Sequence, residues 1–241
     1  MNGMSATVAQ IIADTPAAAR VFDDHRINYA GEGKDSLDIA CQKAGVSSGH
    51  IMEEIRIAAQ TDYQADPHDW QHAPLRELIS HIINAHHAYI ENQLPLLEDE
   101  IARSAGAHSK DTDEIYDRLR RIFRHFRNEI VRHNKREEMV LFPSIIALEH
   151  AVETNWRGPK KSFGFATETI QSMEGEHESV CALLAEMRRI ANEFIPPEKA
   201  AGAERSLYRD LRDFEVNMRR HFHLENNILF PRAAALEDGK L

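Results

Sequence analysis

Two stretches of the chain repeat one pattern in one frame: Arg132-His133, Glu137 and Leu141-Phe142-Pro143 recur as Arg220-His221, Glu225 and Leu229-Phe230-Pro231, each position displaced by 88 residues (133 to 221, 137 to 225). A repeat at that separation has the length of a doubled two-helix unit, so the stretches ahead of each motif should also correspond. A His and a Glu four residues apart lie one turn apart on the same face of a helix. One inward-facing pair therefore supplies an imidazole nitrogen and a carboxylate to a shared point inside a bundle.

From Pro74 onward, four long amphipathic segments run from Pro74 to Ser104, Asp111 to Ala147, Phe163 to Phe194 and Ala203 to Ala235. A helix of about 30 residues is near 45 Å long. Joined by polar or Pro/Gly-bearing connections, the four predict an all-α fold built on an antiparallel four-helix bundle. In the third segment Ile170, Met173, Val180, Leu184 and Met187 form an apolar face at helical steps, interrupted by His177. Ile83, Ile90 and Leu94 match Met173, Val180 and Leu184 at an offset of 90 (83 to 173, 94 to 184), which lands His177 on His87 rather than on His86.

His87, His133, Glu137, His177, His221 and Glu225 then form one donor set with two-fold symmetry. A lone buried histidine is more often a hydrogen-bonded core residue than a ligand, and an isolated His-Glu pair is a common helix-surface feature. Repetition reverses that weighting, because burying six such groups without a cation is costly. Four imidazoles and two carboxylates suit a pair of metals, each taking two imidazoles, with the glutamates able to bridge. The donor mixture favours iron, with manganese and zinc as alternatives.

Neighbouring residues sort around this set. His125 and Glu129 have the same spacing but lack the L-F-P triplet and have no counterpart in the fourth segment, where Asn217 stands in place of Glu129, so His125 reads as surface. Glu129 and Glu176 are candidates for orienting the histidine ligands from outside, with a solvated helix charge as the competing reading of Glu129. His81 and His86 read as helix-flank residues, His223 as pointing away from the set, and Cys181 as a small core residue. The L-F-P triplets read as apolar anchors followed by a proline that resists a continuing helix.

Ahead of the bundle, residues 1–62 read as a small helical domain, with apolar helical spacing from Ala6 to Phe22, a Gly-rich Tyr29 to Lys34 and short helices over Ser36 to Ala44 and Gly49 to Ala59. Residues 63–73 read as a linker and residues 74–241 as the bundle. A net charge of −10 argues against nucleic acid and anionic membrane surfaces as partners. No stretch approaches the roughly 20 apolar residues of a membrane span, and the first residues lack a basic then apolar export pattern. Cys41 and Cys181 are the only cysteines and form no C-x-x-C pattern, which leaves a cytoplasmic location as the expectation.

The stretches H-N-K-R-E-E-M-V-L-F-P and H-F-H-L-E-N-N-I-L-F-P, with M-E-G-E-H at His177 and A-P-L-R-E-L-I-S-H-I-I ahead of His87, resemble the Repair of Iron Centres family of hemerythrin-like di-iron proteins. The resemblance covers nearly the whole chain, since that family also carries a small N-terminal domain. It implies two non-haem Fe ions, carboxylate- and oxo-bridged, on the same six residues, with the four histidines terminal and Glu137 and Glu225 bridging. It further implies a role in nitrosative and oxidative stress, through reaction with nitric oxide or oxygen and through restoring clusters in apo iron-sulfur proteins. The alternative it leaves is an O2/NO binding or sensing protein without turnover. The chain departs from the family at Ala30 and Gly31, which stand where an adjacent cysteine pair is expected, so a vicinal thiol pair is missing here.

Overall fold

The computed structural model describes residues 6–61, 68–104, 110–155 and 166–238, and among these the regular elements are all helical, with a single antiparallel bridge between Thr7 and Ser36. Phe163 and part of the expected linker, 63–67, lie outside the described residues. The first four helices are α1 (Val8–Asp14), α2 (Ala18–Asp24), α3 (Leu37–Ala44) and α4 (Ser48–Thr61). The apolar stretch from Ala6 to Phe22 is two helices, because Pro16 cannot donate to a continuing ladder. Thr7 opens α1 with a reciprocal cap: its hydroxyl accepts from Gln10 N while the Gln10 side chain accepts from Thr7 N. Gly45 ends α3 in the left-handed region at φ 72°, where a side chain would be strained. These helices close over their own core, which includes Phe22, Leu37 and Ile51.

The remaining helices make four rods. The first is α5 (Leu75–His81) and α6 (Ala88–Ser104), the second α7 (Lys110–Arg136) and α8 (Phe142–Glu153), the third α9 (Ala166–Ile190), and the fourth α10 (Gly202–Leu224) and α11 (Phe230–Glu237). Helix α7 lies along α9 on one side and α6 on the other, and α10 lies along α6. Three rods are joined at mid-length by a π-helical turn: Ile82–His87, Glu137–Leu141 and Glu225–Leu229. A π turn holds one residue more than an α turn and is concentrated at functional sites.

That extra residue corrects two expectations. Ile83 is only partly buried, and Ile82 takes the core place opposite Met173, because the turn shifts everything upstream of His87 by one position. The helices also run on past Pro143 and Pro231 to Glu153 and Glu237. Each proline stands at the start of the new helix, where the wider turn has already interrupted the hydrogen-bond ladder. Helix α5 has no side-chain cap of its own after Pro74; Glu149 of α8 crosses to accept from Leu75 N at 2.5 Å and Arg76 N at 3.1 Å.

The bundle interior holds two apolar clusters. One includes Ile90, Phe126, Val180 and Met218, and the other Ile82, Leu141, Met173 and Ile228. Along every rod the sequence between these clusters carries a histidine. A polar layer therefore lies across the middle of the bundle, sealed above and below by apolar side chains. Among the described residues no helix is long and apolar enough to cross a membrane.

Candidate metal centre

All six residues singled out by the repeat meet in that layer. Glu137, His221 and Glu225 are 0% exposed, and His87, His133 and His177 are no more than 4% exposed, so water does not solvate the two carboxylates. His87 Nε2 lies 3.1 Å from His221 Nε2, and His133 Nε2 lies 2.9 Å from His177 Nε2. The opposite ring nitrogens face acceptors: His87 Nδ1 meets Glu138 Oε1 at 2.7 Å, His133 Nδ1 meets Glu176 Oε2 at 3.0 Å, and His177 Nδ1 meets Asn226 Oδ1 at 2.7 Å. A neutral imidazole carries one proton, and donation from Nδ1 leaves Nε2 a bare lone pair. At His133 and His177, where both Nδ1 atoms face acceptors, two bare lone pairs 2.9 Å apart repel unless a cation stands before them.

The glutamates join the two nitrogen pairs. Glu225 Oε1 is 2.9 Å from His221 Nε2 and its Oε2 is 3.3 Å from His177 Nε2. Glu137 Oε2 is 3.4 Å from His87 Nε2 and 3.3 Å from His133 Nε2. The result is two four-residue groups, His87-Glu137-His221-Glu225 and His133-Glu137-His177-Glu225, whose donor atoms lie within 4.8 Å of one another and which share both carboxylates.

The field of the layer asks for positive charge. Burial pushes the Glu225 carboxyl up, yet His221 and His177 hold it well below the usual range, and Glu137 is held low against burial and Glu225 by His133 and His87. His87 and His133 rise above the ordinary imidazole value against burial, drawn up by the same carboxylates. Two buried carboxylates facing imidazole lone pairs fit divalent or trivalent cations of intermediate softness, iron among them. Aromatic rings close the layer: Phe142 stacks on His87 at 5.7 Å between centroids, and Phe222 and Phe230 stack on His177 at 4.1 and 5.7 Å. The phenylalanines of the L-F-P triplets thus shield imidazoles as well as anchoring helices.

Other expectations divide. Glu176 sits against His133, whereas Glu129 pairs with Arg132 on the outer face and does not reach His133, which corrects its reading as an orienting group. His125 is exposed. His86 is buried rather than flanking, with its ring parallel to His221 at 5.7 Å and its Nδ1 3.3 Å from Asn217 Oδ1. His223 is buried and turned toward the small domain, edge-on to Tyr29 at 5.5 Å. Cys181 packs against the bundle core with its thiol pushed up to about 11 by burial.

Glu138 and Asn226 were missed by sequence reasoning, although the signal was present. They occupy equivalent places in the repeat (138 to 226), immediately after each glutamate. Beside the layer, a cavity of about 750 Å³ opens between the small domain and the bundle, with His86, Asn217 and His223 on its inner wall and Tyr29 and Trp70 among its other lining residues.

Four rods that turn one histidine each and two shared glutamates into a sealed mid-layer define a hemerythrin-type cation-binding bundle. Residues 78–233 match the Hemerythrin HHE cation binding domain, and residues 4–59 match ScdA_N, a domain of unknown function. The iron-sulfur cluster repair protein YtfE of Yersinia pseudotuberculosis serotype IB (strain PB1/+) is 31% identical over 224 residues, covering 90% of this chain and 91% of its own length. YtfE of Yersinia pestis (strain Pestoides F) is similar to the same extent, 31% over 224 residues. The chain belongs to the Repair of Iron Centres family of hemerythrin-like proteins.

Proposed function

We propose that the chain holds two iron ions in the mid-bundle layer and acts in iron-sulfur cluster repair under nitrosative and oxidative stress, reacting with nitric oxide at the metal pair. The observation that carries this reading is the pair of four-residue groups sharing two fully buried glutamates. His87 and His221 would hold one ion and His133 and His177 the other, with Glu137 and Glu225 spanning both. When bound, an iron pair supplies one-electron changes between ferrous and ferric states and a coordination position open to a diatomic ligand.

The surrounding residues set the conditions for that chemistry. Glu138, Glu176 and Asn226 hold three imidazoles in one tautomer and orientation. Phe142, Phe222 and Phe230 keep the layer dry, which strengthens every charge interaction inside it. The cavity between the small domain and the bundle is lined by His86, whose ring lies parallel to that of His221 at 5.7 Å. Apo iron-sulfur proteins are the partners that the relatives' names support.

Elemental analysis and Mössbauer spectroscopy of protein purified without added metal test the reading. About two irons per chain are expected, with metal lost in His133→Ala and in Glu225→Ala. A metal-free wild type, or metal content unchanged in both variants, would contradict it. Anaerobic mixing of the reduced protein with nitric oxide in the presence of an excess one-electron reductant, which supplies the two electrons that each nitrous oxide requires, then separates turnover from plain binding: sustained release of nitrous oxide supports a reductive role, and its absence leaves binding or sensing.

A further inference from the structure

The small domain reaches the metal layer through two consecutive asparagines. The π turn Glu225–Leu229 begins with the buried Glu225 and continues with Asn226 and Asn227. Asn226 Oδ1 accepts from His177 Nδ1 at 2.7 Å, and Asn226 Nδ2 donates to the Ala30 carbonyl at 3.1 Å. Asn227 Nδ2 donates to the Tyr29 carbonyl at 3.0 Å. Gly33 packs so closely that a Cβ built on it would stand 2.1 Å from Asn227 Oδ1. Ala30 itself is 1% exposed and is part of the bundle's core.

We propose that the small domain is a latch on one metal position: the Ala30 carbonyl fixes the Asn226 amide, and that amide fixes the His177 imidazole, so docking of the 29–33 segment and cation binding at His133 and His177 strengthen one another. The inference rests on the two-metal reading above and assigns Asn226 as a positioning residue. The contact is made by backbone carbonyls, so it does not depend on which side chains stand at positions 30 and 31. It gives the small domain a task here that needs no cysteine pair.

The second metal position lacks this latch. His87, the repeat equivalent of His177, is held by Glu138, which comes from within the bundle. Displacing the small domain would therefore loosen one ion of the two. A cation lost in that way comes from the His133-His177 position.

Linkage makes the test reciprocal: whatever factor docking contributes to metal affinity, metal must contribute to docking. The probe is ferrous iron under anaerobic conditions, added to the full chain stripped of metal. Hydrogen exchange of the Gly31 and Glu32 amides, which are bonded to Asn28 within the segment, is followed with and without iron. Exchange slowed about 10-fold or more on loading is expected, matching the roughly 10- to 100-fold that an outer-shell partner contributes to metal affinity. In Asn226→Leu, one of the two iron equivalents should bind that much more weakly while the other keeps its wild-type affinity, and the iron dependence of exchange should vanish.

Asn226→Asp keeps an acceptor for His177 but no donor for Ala30. It should recover the part of the affinity that comes from orienting His177 but not the part contributed by docking, leaving that equivalent weaker than in wild type and the Gly31 and Glu32 amides unprotected by iron. If wild type takes up two irons with no change in exchange at these amides, the latch is wrong and the metal reading stands. Equal weakening of both equivalents in Asn226→Asp would also overturn the latch. A wild type that takes up no iron removes the metal reading itself.

Discussion

Each imidazole of the mid-bundle layer has a neighbour on its outer side, and these neighbours obey the same two-fold relation as the ligand set while differing in chemistry. His87 and His177 are equivalent, and their Nδ1 partners are the carboxylate Glu138 and the amide Asn226. His133 and His221 are equivalent, and beside them stand Glu176 and the ring of His86. Among the described residues His221 Nδ1 finds no hydrogen-bond partner. Each pair of facing imidazoles thus has one outer carboxylate, placed on a different rod, and a carboxylate acceptor raises the basicity of the imidazole it orients. Replacing Glu138 by Ala should weaken cation binding at the His87 position roughly 10- to 100-fold, as read by stepwise titration with ferrous iron. Glu129→Ala should leave both equivalents unchanged, because Glu129 is engaged by Arg132. Equal affinities in wild type and Glu138→Ala would show that His87 needs no outer partner. The six converging residues were legible in the sequence because a repeat is visible without coordinates. Their outer partners were harder to see because Glu138 and Asn226 differ in type, which hides an equivalence of position.

At the scale of elements, the π turns explain both what the apolar pattern showed and where it slipped. An amphipathic pattern reads helix from the recurrence of apolar residues, and one extra residue in a rod that carries a π turn moves that recurrence by about 100° without ending the helix. Upstream of His87 the pattern therefore pointed at Ile83, while the core took Ile82. Downstream it was in register, which is why His87 rather than His86 aligned with His177. The start of α5 depends on a residue far away in sequence: Glu149 accepts from Leu75 N and Arg76 N and is 11% exposed at its side chain. A negative charge on the free N–H groups of a helix start is favourable, and losing a cap typically costs about 0.5–2 kcal/mol. Glu149→Ala should lower the unfolding free energy by about that amount in denaturant titrations, with metal stoichiometry unaltered. No loss of stability would mean that solvent satisfies those N–H groups equally well. Sequence pattern had no means of finding this cap, since its partner lies 74 residues away.

At the scale of the whole molecule, what holds the small domain on the bundle is polar and buried. Asp23 of α2, 6% exposed at its side chain, faces Arg219 at 3.5 Å and Arg220 at 3.9 Å on α10, and accepts from the Tyr29 hydroxyl at 3.2 Å. Burial outweighs both arginines and the hydroxyl and raises the Asp23 pKa from 3.8 to about 6. The native state then binds a proton that the unfolded chain has released, so this group's stabilisation is complete below about 3.8 and is lost as pH rises through about 6. At 1.36 kcal/mol per pKa unit the full change is on the order of 3 kcal/mol. The expected result concerns the metal-stripped protein, with wild type compared against Asp23→Asn so that the histidines and glutamates of the layer cancel. The unfolding free energy of wild type relative to the variant should fall between about pH 4 and pH 6 and stay level at higher pH. A rise confined to pH below about 4, with no fall above it, would mean that the arginines dominate Asp23 and that the interface is held by ion pairing. A flat difference would mean that water reaches Asp23 and that the apolar contacts around Ala30 and Tyr29 carry the docking instead.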